Sequence, residues 1–284
     1  MKKYRQSNSF AATTTGCDTG DTENTGHPVY EIFCIILKKF DPVLLEKLLG
    51  VADLFEYLKQ LWNKTEKRKE RGGKIMKTLE QEVLKKIAKK SLFVKLVNTE
   101  RNESLVEQSI SKEFLDLSAV VRVVLKMDKE GMASMALSKG DAEILGMTEE
   151  EIYAAALANT LRLFPPKLMN LGRYIEMSIG AKLPLGEDEV TTYILTNQKE
   201  VDGAIYFMSP EVVGAIAEAL EDDLYILPSS VNEVLLVRAS ELEDGVDELK
   251  EMVRDANETV VAEKDILSYN VYHYDKEHGI TIAA

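Results

Sequence analysis

Apolar residues recur at intervals of three and four in some stretches of this chain and run together or alternate in others, so helices and strands share it. Between Pro42 and Trp62, Leu44, Leu45, Leu48, Leu49, Ala52, Phe55, Leu58 and Leu61 form the stripe of an amphipathic helix. Leu79, Val83, Leu84, Ile87, Ala88 and Leu92 predict a second helix with a lysine-rich outer face, which runs into an apolar stretch at 93–97. A hairpin follows: residues 114–127 are rich in Val and Leu, Asp128-Lys129-Glu130-Gly131 supplies turn chemistry, and 132–137 returns. Thr148 and Glu151 make a capping box for a helix through Ile152, Ala155, Ala156 and Leu163, which Pro165-Pro166 stops.

The C-terminal part repeats a plan. Residues 193–195 predict a strand, 197–203 a turn and 204–208 a second strand, after which Ser209-Pro210 caps a helix through Leu220. Residues 225–227 then predict a strand, Pro228-Ser229-Ser230 a turn and 234–237 a strand, with Ser240 and Glu243 as the capping box of a helix through Val253. With the hairpin at 114–137 and the helical stretch after it, strand-strand-helix occurs three times, which leaves two readings, chance recurrence of local ββα units in a mixed domain or a duplicated unit. A last hairpin pairs 271–274 with 280–282. The expected class is α+β: a mixed, mainly antiparallel sheet built from ββα units with helices packed on it, preceded by a helical N-terminal extension.

Charge divides the chain where the pattern does. The 284 residues carry 35 Lys and Arg against 48 Asp and Glu, a net charge of −13. Residues 1–75 have 13 basic and 10 acidic side chains, leaving 76–284 with 22 and 38, a net −16. Three parts are expected: a disordered polar tail over 1–28, a helical extension and basic linker over 29–75, and one α+β domain over 76–284. The peptide Glu70-Arg71-Gly72-Gly73-Lys74-Ile75-Met76 could be encoded by a purine-rich stretch like a bacterial ribosome-binding site, so Met76 is expected as the natural start and 1–75 as not native to the domain.

Several motifs resemble a known family. Residues 224–234 (LYILPSSVNEV), with Lys112-Glu113-Phe114-Leu115-Asp116-Leu117, Asn159-Thr160 before Leu163-Phe164-Pro165, and Leu249-Lys250-Glu251-Met252-Val253-Arg254, are similar to the bacterial domain of unknown function 5688 family over about residues 76–284. Asn232 stands where that family's pattern is expected to carry a histidine. The resemblance implies a bacterial, cytoplasmic protein with a mixed sheet, and no reaction.

Composition narrows the chemistry. An acidic chain repels phosphate backbones, so direct nucleic-acid binding is not expected. Two cysteines, Cys17 and Cys34, make no disulfide framework, and the best apolar run, 32–37, is far short of the roughly 20 residues of a spanning helix, so a cytoplasmic protein with no membrane partner is expected. No phosphate-binding glycine loop, nucleophile elbow or Cys-x-x-Cys pair occurs, and no cofactor or metal is expected. His273, Asp275 and His278 read as surface turn residues, with 278 lying past the turn. The candidate ligand-binding residues are Ser229, Ser230 and Glu233, whose hydroxyls and carboxylate could meet a ligand or simply close a turn, and Asn159 and Arg162 beside the Pro-Pro break. Acidic clusters at 187–189, 221–223 and 241–244 read as solvated loops. Three functions remain: a non-catalytic binding or regulatory module for an unknown protein partner or small ligand, an enzyme with a loop-built site at 228–233, and an acidic mimic of nucleic acid that inhibits a DNA-handling or defence protein.

Overall fold

The computed structural model describes residues 82, 85, 86, 88–127, 131–182, 190–242 and 245–283. The expected tail, extension and linker over 1–75, the Met76 start, Cys17, Cys34 and His27 lie outside the described residues. Of the helix expected over 79–92, positions 82, 85, 86 and 88–91 are described and helical. The chain divides into two units, residues 1–90 with 125–133 and residues 91–124 with 134–284. Nearly all of the described residues belong to the second.

Four strands make the first sheet: β1 (Leu92–Asn98), β2 (Ser111–Phe114), β3 (Leu117–Met127) and β4 (Met132–Ala136). β1 runs antiparallel to β3, from Leu92 opposite Val123 to Asn98 opposite Leu117, while β2 and β4 pair with the other edge of β3. The stretch 114–127, expected as one strand, is broken at its start by a two-residue turn, Leu115-Asp116, with Leu115 at φ +56°. Apolar residues on both sides of that turn hide it from a hydrophobicity pattern. Leu92, Phe93, Val94, Leu96 and Val97 of β1 are all buried, the continuous apolar run of a strand covered on both faces.

Two short helices, α1 (Glu103–Gln108) and α2 (Asp141–Leu145), precede α3 (Glu149–Leu163). The capping box forms as the sequence requires: Glu151 N–H donates to Thr148 Oγ1 at 3.2 Å, and Thr148 N–H donates to Glu151 Oε2 at 2.9 Å. α3 buries Ile152, Ala156, Thr160 and Leu163, one stripe at helical spacing. It also closes the outer edge of β1, because Val94 N–H donates to Thr160 Oγ1 at 2.9 Å. Phe93 and Phe164 meet edge to face at 5.2 Å.

The second sheet is six-stranded and antiparallel, in the order β10-β9-β7-β8-β6-β5. Its strands are β5 (Pro166–Asn170), β6 (Thr192–Asn197), β7 (Leu224–Pro228), β8 (Val234–Arg238), β9 (Tyr272–Asp275) and β10 (Gly279–Ile282). The Pro-Pro break does stop α3, but the chain continues directly into β5, and Pro166 is tolerated there because β5 is an edge strand. α4 (Leu171–Ile179), α5 (Pro210–Leu220) and α6 (Val246–Thr259) complete the unit. α6 sets Leu249 and Val253 against Leu227 and Val271.

Two expectations are corrected. Residues 204–208 are not a strand: Gly203–Met208 is a 3-10 helix whose residues 203–207 are all buried. A short apolar run covered on every side has no periodicity to separate helix from strand. What decides is close approach, since a Cβ on Gly203 would collide with Thr196 Oγ1 and come within 2.6 Å of the Asn232 carbonyl. The strand-strand-helix plan therefore does not recur over 193–220, although Ser209 and Pro210 open α5 as expected. Nor does Ser240 open α6, whose N-cap is Gly245 at φ +85° without a side-chain cap bond. Ser240 instead donates its hydroxyl to Asp222.

One carboxylate ties distant segments together. Asp116, in the β2–β3 turn, accepts from Ser268 Oγ at 2.6 Å, Asn270 Nδ2 at 3.0 Å and Tyr272 OH at 2.7 Å. Asn98 Nδ2 donates to the Leu267 carbonyl at 3.0 Å and Asn257 Nδ2 to the Ser268 carbonyl at 2.9 Å, so the segment leading into β9 is gripped from three sides. Burial, joined by the Asp116 charge and partly countered by Ser268, raises the Tyr272 phenol far above its ordinary range and keeps it a donor. Asp116→Ala should cost about 3 kcal/mol of unfolding free energy by urea denaturation, because three donors lose their acceptor, and Asp116→Asn should cost less.

Candidate functional site

The strand registers sort the sequence-predicted residues by sheet end. Pro166 faces Asn197, Leu195 faces Val234 and Pro228 faces Val234, so the 159–166 segment and the 228–233 turn lie at the same end of the six-stranded sheet. Leu224 faces Tyr274, which puts the turn of the last hairpin beyond the opposite end of β7. At about 3.3 Å per residue, that is about 13 Å from Pro228. Two of the three segments singled out in the sequence therefore share an end, and the third does not.

At the shared end, side chains that could do chemistry are engaged with one another. Ser230 Oγ donates to Glu233 Oε1 at 2.7 Å, and Ser229 Oγ reaches the same oxygen at 3.2 Å. Ser230 N–H donates to the Glu233 carbonyl at 3.1 Å, and Asn232 N–H to Ser230 Oγ at 3.0 Å. Asn232 locks this turn to its neighbours, its carbonyl accepting from Thr196 Oγ1 at 2.7 Å and its Oδ1 from Asp202 N–H at 3.0 Å. Asp202 in turn pairs with Lys95 Nζ of β1 at 2.7 Å. Burial pulls the Arg122 guanidinium of β3 below its ordinary value, with the Asp202 charge acting against that shift.

Asn159 and Arg162 sit on the last turn of α3, with Arg162 Nη2 donating to Asn159 Oδ1 at 3.3 Å. The helix end they occupy is pinned by Tyr206 of the 3-10 helix, whose hydroxyl donates to the carbonyl of Phe164 and, at 3.3 Å, to that of Thr160. Burial pushes the Tyr206 phenol up to about 12. One short helix thus links the two candidate segments, through Tyr206 on one side and through Asp202 and Ala204 on the other.

The feature that sequence reasoning missed lies at the other end, where α5 and the last hairpin border an open groove of about 770 Å³. Pro210, Gly214, Ala217 and Tyr274 line it together with Glu211, Glu218, Glu221, Asp222 and Asp223, and Lys276 stands among them. Gly214 admits the close approach, since a Cβ there would lie 2.7 Å from the Tyr274 hydroxyl. Asp222 accepts from Ser240 N–H at 3.3 Å and pairs with Arg238 at 3.3 Å. Burial alone would raise its carboxyl, but these partners outweigh burial and hold it below the ordinary value. The Ser209 hydroxyl donates to Glu211 Oε2 at 2.8 Å. The sequence signal was there, as the 221–223 cluster, but its concave setting needs the hairpin some fifty residues later.

Beside the groove, His278 folds back over the hairpin turn, its Nδ1 lying 3.0 Å from Asp275 Oδ1, and His273 Nδ1 is 3.6 Å from Asp275 Oδ2. His278 itself lies exposed in the hairpin turn. Among the described residues, no group of three or more His, Cys, Asp or Glu side chains could hold a metal ion. The Asp275 carboxyl is held below its ordinary value, first by the His278 backbone N–H, then by the His278 ring and the Glu277 N–H. A lowered pKa means stabilisation that is complete above the unfolded value of about 3.9 and lost as pH falls through the folded value. The stability difference between wild type and Asp275→Asn should therefore be present at about pH 5 and shrink below about 3.9 in pH-dependent denaturation.

No helix among the described residues is long and apolar enough to cross a membrane. Neither the search of curated proteins nor that of solved structures returned a match. A family model matches residues 46–276, starting 30 residues before the boundary that charge suggested and taking in most of the amphipathic stretch after Pro42. That span covers most of the 284 residues, and the chain belongs to the family of unknown function DUF5688.

Proposed function

We propose that the chain is a non-catalytic binding or regulatory module of a bacterial cytoplasm, which holds a partner in the groove between α5 and the last hairpin. The observation that carries this reading is the groove itself, an open recess of about 770 Å³ lined by Pro210, Ala217 and Tyr274 together with five carboxylates. Its size falls in the range of roughly 300–1,000 Å³ typical of ligand sites. A rigid frame supports it, since Tyr274 belongs to a strand in the middle of a β10-β9-β7 ladder and Gly214 to a helix that buries Val213, Ile216 and Ala217. A photo-crosslinking residue at the exposed Ala215, expressed in the native host, should yield a discrete adduct, and the same residue at the exposed Lys139 should not; adducts at Lys139 alone would refute the reading.

A second reading, a ligand site built on Ser229, Ser230 and Glu233 with Asn159 and Arg162, is favoured by the shared sheet end and by the single Glu233 oxygen that both hydroxyls face. An enzyme of this kind would use Glu233 as a hydrogen-bond acceptor or base. Ser229→Ala, Ser230→Ala and Glu233→Ala combined should abolish any small-molecule shift in a metabolite thermal-shift screen if this site is used; an unchanged screen removes it.

A further inference from the structure

The two edges of the six-stranded sheet are not guarded alike. An edge strand offers unpaired N–H and C=O groups to any other strand, and proteins blunt such edges with proline, charge or a covering segment. β5 carries Pro166 and Lys167 and runs directly into α4. β10, at the opposite edge, reads Gly279-Ile280-Thr281-Ile282, with neither proline nor charge.

The register fixes which backbone groups that edge presents. Gly279 faces Asp275 and Thr281 faces His273, and just beyond them Ala283 N–H donates to the Val271 carbonyl at 2.8 Å. Hydrogen-bonded pairs alternate along an antiparallel ladder, so residues 279, 281 and 283 spend their N–H and C=O groups on β9. Those of Ile280 and Ile282 point to the open side, where no strand among the described residues pairs with them. The side chains of Thr281 and Ile282 are exposed, and that of Ile280 is half-buried.

We propose that the occupant of this edge is a second copy of the chain, with β10 of each copy antiparallel to the other about a two-fold axis at Thr281. In that register Ile280 of each copy faces Ile282 of the other, and because both residues turn their free groups outward, four new hydrogen bonds satisfy all of them. Side chains alternate, so the isoleucines of both copies meet on one face of the joined sheet while the two Thr281 side chains stand opposite each other on the other face. Charge selects this edge for self-association. A chain of net charge −13 repels its own copy, yet the paired stretch 280–282 holds no charged residue, and Asp275, Lys276 and Glu277 lie at the turn, outside it. A strand of another protein could meet the same backbone groups, but the copy supplies both the hydrogen-bond phase and the isoleucine pairing by symmetry. The contact is short, so the dimer is weak and reversible, and it stands apart from whatever the groove holds.

Sedimentation velocity on the full chain tests it. The protein should pass from monomer to dimer as its concentration rises from low micromolar to several hundred micromolar. Thr281→Glu and Thr281→Lys each set like charges face to face at the axis and should each weaken dimerisation at least tenfold, whereas an equimolar mixture of the two should recover it. Ile282→Pro removes an outward N–H that no strand of its own chain uses, and it should also leave a monomer, with an unchanged melting temperature. Met252→Lys, an exposed substitution on α6, should leave dimerisation within twofold. A chain that stays monomeric over the whole range overturns the proposal, as does a dimer that Thr281→Glu leaves intact, since it then forms through another surface. Failure of the Glu and Lys variants to associate with each other overturns it too, because recovery requires that position 281 meet itself.

Discussion

The carboxylate of Asp116 is the point on which the arrangement turns. It sits in a two-residue turn of the first sheet and accepts three hydrogen bonds from the segment that enters β9 of the second. A charge in that position is stable only while its donors stay in place, and the donors are placed only while the turn stays tight. The aromatic chain Phe114, Phe207 and Tyr272, with ring separations of 5.5 and 5.0 Å, packs along the same line. Since β9 carries Tyr274, a hydrogen-bonded turn in one sheet bears on a residue that lines the recess beside the other.

The two ends of the six-stranded sheet use their polar residues differently. At the Pro228 end, serines, asparagines, Glu233 and the Lys95–Asp202 pair satisfy one another, in keeping with the cost of leaving buried polar groups unpaired. At the Leu224 end the polar residues face outward: Glu218, Glu221 and Asp223 are exposed and crowd a helix pole that favours cations.

Glycine makes both ends possible. Gly203 allows the 3-10 helix to press against Thr196 and Asn232, and Gly214 allows α5 to lie against Tyr274. Neither is placed by local backbone need, as neither has a positive φ, and each is explained only by what stands opposite it.

Local sequence determined what local physics controls. The Thr148–Glu151 capping box, the Ser209-Pro210 start of α5, the strands around 193–195, 225–227 and 234–237 and the last hairpin form where their residues require, because caps and alternation act within a few positions. The turn at Ser229, Ser230 and Glu233 and its possible ligand chemistry were legible in the same way, but the spending of both hydroxyls on Glu233 was not. Tertiary structure alone decided the rest: that 203–208 coils, that Leu115-Asp116 turns, that Ser240 serves Asp222 rather than a helix, and that 210–223 meets 274–276 along an open groove. In each of these the deciding partner lies far along the chain, and a pattern of neighbours carries no record of which distant surface will arrive to satisfy it.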